Sequence, residues 1–131
     1  MIDAKELRLN NYVLFDEQVD KIFSLGQAMC SGEKHSHWYY ERLDPIPITP
    51  EILEKCGFKH WRNGWYNKDY FTNCNEAVEE MTISINLSSF RFSIFDKEGG
   101  YPVYVAKQVK FLHLLQNGIY FLTGTELEVT L

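Results

Sequence analysis

The chain has 131 residues, 45% of them hydrophobic and 24% charged, with a formal net charge of −5. That length suits one domain and buries enough apolar surface to fold without a disulfide or a metal. The acidic balance argues against duplex nucleic acid as a partner, because duplex binding rests on neutralising phosphates; a local cluster of Arg and Lys can still hold a small anion.

Met1–Leu7 carries Asp3, Lys5 and Glu6, with no apolar stretch behind a basic start as a secretion signal requires. Tyr12–Phe15 and Val19–Leu25 flank a polar turn at Asp16–Gln18, the pattern of a β-hairpin. The small, polar run from Gln27 to Lys34 reads as a loop, and His37–Arg42 as a third strand. Alternating prolines make Asp44–Ile48 an extended connector or a sheet edge. Thr49, Pro50 and Glu51 are a helix start of cap, first-turn proline and dipole-matched acid, and Gly57 supplies the left-handed exit.

An Asn63–Gly64 turn precedes Trp65–Tyr66 and Tyr70–Phe71, which mark a strand or a strand pair. Ile83, Ile85 and Leu87 alternate with polar residues, as do Phe90, Phe92 and Ile94. A Ser88–Ser89 loop then pairs Leu87 with Phe90, Ile85 with Phe92 and Ile83 with Ile94 on one sheet face. Lys97–Gly100 is a turn and Tyr101–Val105 a short strand. The spacing of Phe111, Leu112, Leu115, Ile119 and Leu122 predicts a helix from about Lys107 to Thr123, ended by Gly124. Glu126–Leu131 alternates as a final strand. The expected fold is α+β: an antiparallel sheet of several hairpins, with room for barrel-like closure at the N-terminus. It packs against a longer C-terminal helix and a short middle helix, in one domain spanning residues 1–131.

Cys30, Cys56 and Cys74 are odd in number and lack CxxC spacing, which fits reduced thiols in a cytoplasmic protein. No apolar run approaches the ~20 residues of a membrane-spanning helix, so no membrane partner is expected. Nine Phe, eight Tyr and three Trp make the chain aromatic-rich. Rings favour binding surfaces, and they are also ordinary strand formers.

Three blocks of the chain resemble a known family. They are Glu6–Val13, Pro45–Phe58, and His113, Leu115, Gln116, Asn117, Leu122, Thr123, Gly124, Glu126 and Leu127 near the end. Together they touch about a quarter of the chain. The family consists of small proteins with no established activity, common in anaerobic gut bacteria and in their phages and mobile elements. The resemblance implies a shared architecture and a mobile-element setting. The chain departs from the family at Gly118, where a large apolar residue is usual, and at Tyr120–Phe121, where the aromatic pair is displaced by one position.

Two groups of residues are candidate ligand contacts. Trp61, Arg62, Trp65 and Tyr66 lie in a locally basic, indole-rich stretch with Lys55, Lys59 and Lys68 nearby. Arg pairs with phosphate or carboxylate and the rings stack on a base, which suits an anionic, ring-bearing ligand such as a nucleotide derivative. The alternative is a hairpin with its rings in the core. His113, Gln116, Asn117 and Tyr120 share one helix face, either as a hydrogen-bonding surface for a ligand or partner, or as groups that tie down a neighbouring loop. His35 and His37 would share a face on a strand, but no third or fourth metal ligand accompanies them, so no metal is expected. The acidic cluster Glu76, Glu79 and Glu80 reads as a solvated stretch.

No serine, cysteine or glycine-rich loop has the setting of a catalytic motif, and no cofactor is expected. The favoured reading is a non-enzymatic protein that captures a small anionic ligand or a host protein. An enzyme using His35, His37 or His113 as general base is the first alternative. Self-association through the aromatic surface is the second.

Overall fold

The computed structural model describes residues 2–74, 77–96, 102–106 and 108–131. The expected turn at Lys97–Gly100 lies outside them, as do Glu76, Tyr101 and Lys107. The α+β class is as expected: two antiparallel sheets of five strands each, with one long helix near the C-terminus and one short helix in the middle.

The first sheet is built from β1 (Tyr12–Phe15), β2 (Gln18–Leu25), β3 (Met29–Gly32), β4 (Trp38–Tyr39) and β5 (Leu43–Asp44), in the order β4-β3-β2-β1-β5. The β1–β2 turn is Asp16–Glu17, with φ of 50° and 66°. Both values are left-handed, as the tightest hairpin turn demands. The stretch expected to be a loop contains β3. Its small residues conceal a pattern in which Cys30 enters the core and the Asp20 carboxylate takes the space that a Cβ at Gly32 would need.

The expected strand at His37–Arg42 shortens to β4, because Tyr40–Arg42 forms a 3-10 turn into β5. The sheet's two edges are therefore joined by three residues. Four strand spacings would separate flat edges by about 19 Å, whereas the chain from Tyr39 to Leu43 spans about 13 Å at full stretch, so the sheet must curl. No ladder joins β4 to β5, and closure stops short of a barrel.

Thr49 caps α1 (Pro50–Lys55), accepting the Ile52 amide at 3.3 Å, and Gly57 leaves the helix at φ 89°. Then follow β6 (Lys59–Arg62), β7 (Trp65–Cys74), β8 (Ala77–Asn86), β9 (Phe92–Asp96) and β10 (Pro102–Ala106), a meander in the order β10-β9-β8-β7-β6. Ile85 pairs with Phe92 and Ile83 with Ile94, as expected. The β8–β9 loop is wider than Ser88–Ser89 alone, because the Asn86 side chain accepts the Ser88 and Ser89 amides and Phe90 turns to φ 57°. Trp65–Tyr66 and Tyr70–Phe71 belong to one strand, not to a pair.

The long helix α2 spans Leu112–Thr123 and ends at Gly124, φ 69°. It begins later than about Lys107, because Lys110 O and Leu112 N bond the proline connector at Ile48 N and Ile46 O. Glu126–Leu131 is extended but unladdered, which corrects the expected final strand: among the described residues its one backbone bond runs from Thr130 N to Lys55 O, outside either sheet. Among the described residues no helix is long and apolar enough to cross a membrane.

Burial forms two cores. Val13, Phe15, Ile22, Cys30 and Leu43 fill the curled first sheet. Leu53, Tyr66, Ile83, Ile85, Phe92, Leu112, Leu115 and Ile119 pack the second sheet against both helices. Strand β1 serves both, since its alternate residues Tyr12 and Leu14 pack on the second core. Gly118 lies where the Phe92 ring approaches the α2 backbone, at 3.3–3.4 Å from the position of a Cβ. A side chain at this position would need the Phe92 ring to give way.

Candidate functional site

Cross-strand neighbours in an antiparallel ladder share a sheet face. Tyr66 is opposite Ile85, and Ile85 opposite Phe92, so these residues form the face turned to the helices. Tyr66 is buried there, with His60 edge-on to its ring at 5.2 Å. Tyr66 is thus separated from the other three basic-stretch candidates and serves the core.

The opposite face is read off the same ladders. Arg62 faces Trp65, which faces Asn86; Lys59 faces Asn67, then Ser84, then Ser93; Asp69 faces Thr82. Here the ladder brings together Arg62 and Trp65 from the two sides of the Asn63–Gly64 turn. That turn is set by φ values of 48° and 79°. Between His60 and Arg62 the register slips, and the residue in the slip is Trp61. A bulge re-aims a side chain, and Trp61 is 47% exposed. The central carbon of the Arg62 guanidinium sits over its ring, 4.1 Å from the centroid. Stacking uses a guanidinium's face and leaves its in-plane N–H fork available for a carboxylate or phosphate.

The short polar residues on this face bond to one another. The Ser84 hydroxyl donates to Asn67 Oδ1 at 2.7 Å, and that of Thr82 to Asp69 Oδ1 at 2.7 Å. The Ser93 hydroxyl is buried with no partner among the described residues. Lys59 and Arg62 have no ion-pair partner among the described residues.

The helix stripe has the structural role that was its alternative. Gln116 Oε1 accepts the Tyr12 amide at 2.8 Å and its Nε2 donates to Asn10 O at 3.0 Å. Asn117 Oδ1 accepts from Asn11 Nδ2 (2.8 Å) and Arg8 Nε (3.2 Å), and its Nδ2 donates to Glu6 O. Arg8 also pairs with Glu126 and stacks over Tyr120 at 4.2 Å. Arg8 holds the Glu126 carboxyl below its ordinary range, against the opposing effect of burial.

His113 is fully buried, with Nε2 3.2 Å from Glu6 Oε2. A carboxylate only accepts, so Nε2 carries the proton, while Nδ1 has no partner among the described residues. Burial lowers the His113 pKa, with Glu6 opposing. The whole stripe thus fastens residues 6–12 to α2, and Tyr120 is its one member left exposed.

His35 and His37 do not share a strand face, because His37 has φ 60° and stands outside β4. His35 Nδ1 is 2.9 Å from Asp20 Oδ2, and the ring stacks on Phe15 at 5.1 Å. Burial raises the Asp20 pKa, but hydrogen bonds from His35 and from the Lys34 and Lys21 amides outweigh it and hold the carboxyl below its ordinary value. This buried acid went unremarked in the sequence, where only its place between apolar neighbours could have marked it. Among the described residues no three His, Cys, Asp or Glu side chains gather to hold a metal. Cys30 and Cys56 are free and buried, and burial pushes the Cys56 thiol up to about 11.

Comparison of the chain with family models, with curated proteins and with solved structures found no match.

Proposed function

We propose that this chain is a small non-enzymatic binding domain that captures an anionic, ring-bearing ligand, of the nucleotide-derivative class, at the end of its second sheet where Arg62 and Trp65 meet. One observation carries the reading: Arg62 is directly opposite Trp65 in the ladder and stacked on the exposed Trp61. A cation and two indoles on one surface match a ligand that has both charge and a flat ring. A reaction with a histidine base has less support, since His113 is sealed and His35 is tied to Asp20.

Thermal melts against a panel of nucleotides and metabolites test the proposal, because a ligand that binds only the folded state raises the melting temperature saturably. Arg62→Ala and Trp61→Ala should abolish the rise while leaving the unliganded melt in place. If no compound moves the melt, the ligand reading fails. Recovering the compound intact after incubation separates capture from turnover.

A second reading, capture of a host protein by a phage or mobile-element product, draws on Phe121, which is 83% exposed beside Tyr120 on α2. Aromatic residues are enriched at the cores of protein–protein interfaces.

A further inference from the structure

We infer that the extended segment Glu126–Thr130 receives a second, extended peptide bearing a lysine or arginine, which pairs with it antiparallel as an added β-strand. The segment forms one wall of a cavity of ≈ 460 Å³, and Asn10, Tyr12, Lys21 and Gln116 form the other. None of these residues belongs to the Arg62–Trp65 site.

Backbone N–H and C=O groups are obligatory hydrogen-bonding groups, and along residues 126–130 they are almost wholly unused. Thr130 N donates to Lys55 O at 3.3 Å, and no other backbone group of the segment has a partner among the described residues. In an extended strand both groups of one residue point to one side, and those of the next residue to the other. Thr130 is turned to Lys55 at the end of α1. The groups of Leu127 and Val129 are therefore turned away from α1, at the spacing of a strand edge.

The segment is also fixed in place before any partner arrives. Leu127 is 4% exposed, Val129 packs on the second core, and Arg8 pairs with Glu126. Holding a strand in its bound conformation lowers the ordering cost of association. The facing wall offers a small polar ligand less, since both ends of the Gln116 amide are engaged, by Tyr12 N and Asn10 O. Another extended backbone, by contrast, matches the Leu127 and Val129 edge group for group.

Charge selects the incoming side chain. Glu128 is exposed and has no ion pair among the described residues, whereas Glu126 is held by Arg8. A residue directly opposite Glu128 in the added ladder shares its face, so a cation belongs there. The same segment of a second copy fits worse: the register that sets Leu127 opposite Val129 also sets Glu128 opposite Glu128, and like charges directly opposite are destabilising.

Fluorescence anisotropy with a short labelled peptide, alternating valine and threonine around a central lysine, tests this at low salt. Saturable binding is expected. With the lysine opposite Glu128, its two neighbours supply the ladder bonds to Leu127 and Val129. N-methylation of those neighbours should weaken binding at least about tenfold, and N-methylation of the lysine itself by less than about threefold. The same peptide with glutamate in place of lysine should bind wild-type protein about threefold or more weakly. Glu128→Lys should reverse that preference, which a merely damaged fold would not do. If the two methylated peptides bind alike, or the glutamate peptide binds wild-type protein as well as the lysine peptide, the proposal falls. It falls too if no peptide binds, including the case in which sedimentation shows two copies of the chain associated instead.

Discussion

At the scale of single residues, the physics of burial accounts for two positions that sequence alone left open. Gly118 stands in a helix interior, where glycine costs about 1 kcal/mol relative to alanine. Its reason is the Phe92 ring against the helix backbone. Gly118→Leu should destabilise by about 1–3 kcal/mol through overpacking. In a Phe92→Ala background the same change should cost much less, because the ring's volume has been vacated. Urea titrations of the four proteins in that double-mutant cycle measure the coupling, and strictly additive costs would count against the contact.

His113 makes a second prediction at this scale. Its folded pKa lies below the ordinary value of 6.5 because burial disfavours the charged ring. Between those two values the unfolded chain binds more protons than the folded one, so stability rises with pH across the window. The contribution is full above about pH 6.5 and is lost as pH falls from there through the folded pKa. His113→Gln should flatten the pH dependence of the urea midpoint between about pH 5 and 7, whatever its effect on the midpoint itself. A variant that kept the wild-type slope would show that another group titrates there.

At the scale of elements, the sequence announced those parts whose chemistry is local. Thr49–Pro50–Glu51 and Gly57 mark α1 by capping and backbone preference. Ile83, Ile85, Phe92 and Ile94 mark the central hairpin by alternation. What it concealed depends on tertiary neighbours. Strand β3 reads as loop because Gly32 is small for the sake of Asp20, some twelve positions earlier. The segment Glu126–Leu131 alternates like a strand yet joins no ladder, and its Leu127 is buried through side-chain packing alone. The site divides in the same way. Ladder register put Arg62 with Trp65 and turned Tyr66 away, and no count along the chain fixes a register slipped at Trp61. Asp20 is the test of the concealed part, since it accepts the Lys21 and Lys34 amides at 2.8 Å each from a position 3% exposed. Asp20→Ala leaves those two amides without their acceptor and should cost about 2–4 kcal/mol. Amide exchange at residues 33–36 should quicken more than at β8, and equal acceleration at both would argue that the loss is global.

At the scale of the whole molecule, the two cores meet along β1 and along the polar fastening between residues 6–12 and α2. Leu14 and Tyr12 supply apolar contact to the second core, and Asn117 satisfies the fully buried Asn11 together with Arg8. Neither core is large, and small cores are marginal alone, so the seam should make one cooperative unit of two. Trp38 packs on the first core, whereas Trp65 belongs to the second sheet, which gives each half its own reporter. In wild-type protein the fluorescence transitions of variants retaining Trp38 or Trp65 as sole indole should coincide in urea, as a two-state domain requires. Asn117→Ala removes an acceptor from two donors and should lower the common midpoint by the equivalent of about 1–3 kcal/mol. Adding Leu14→Ala removes apolar contact at the same seam, for about 2–5 kcal/mol more if the site cannot collapse. In that double variant the Trp38 transition should separate and move to lower urea, because the first sheet then loses the neighbour that covers one side of β1. Coincident transitions in the double variant would place the coupling elsewhere, in the connector through Ile46 and Ile48.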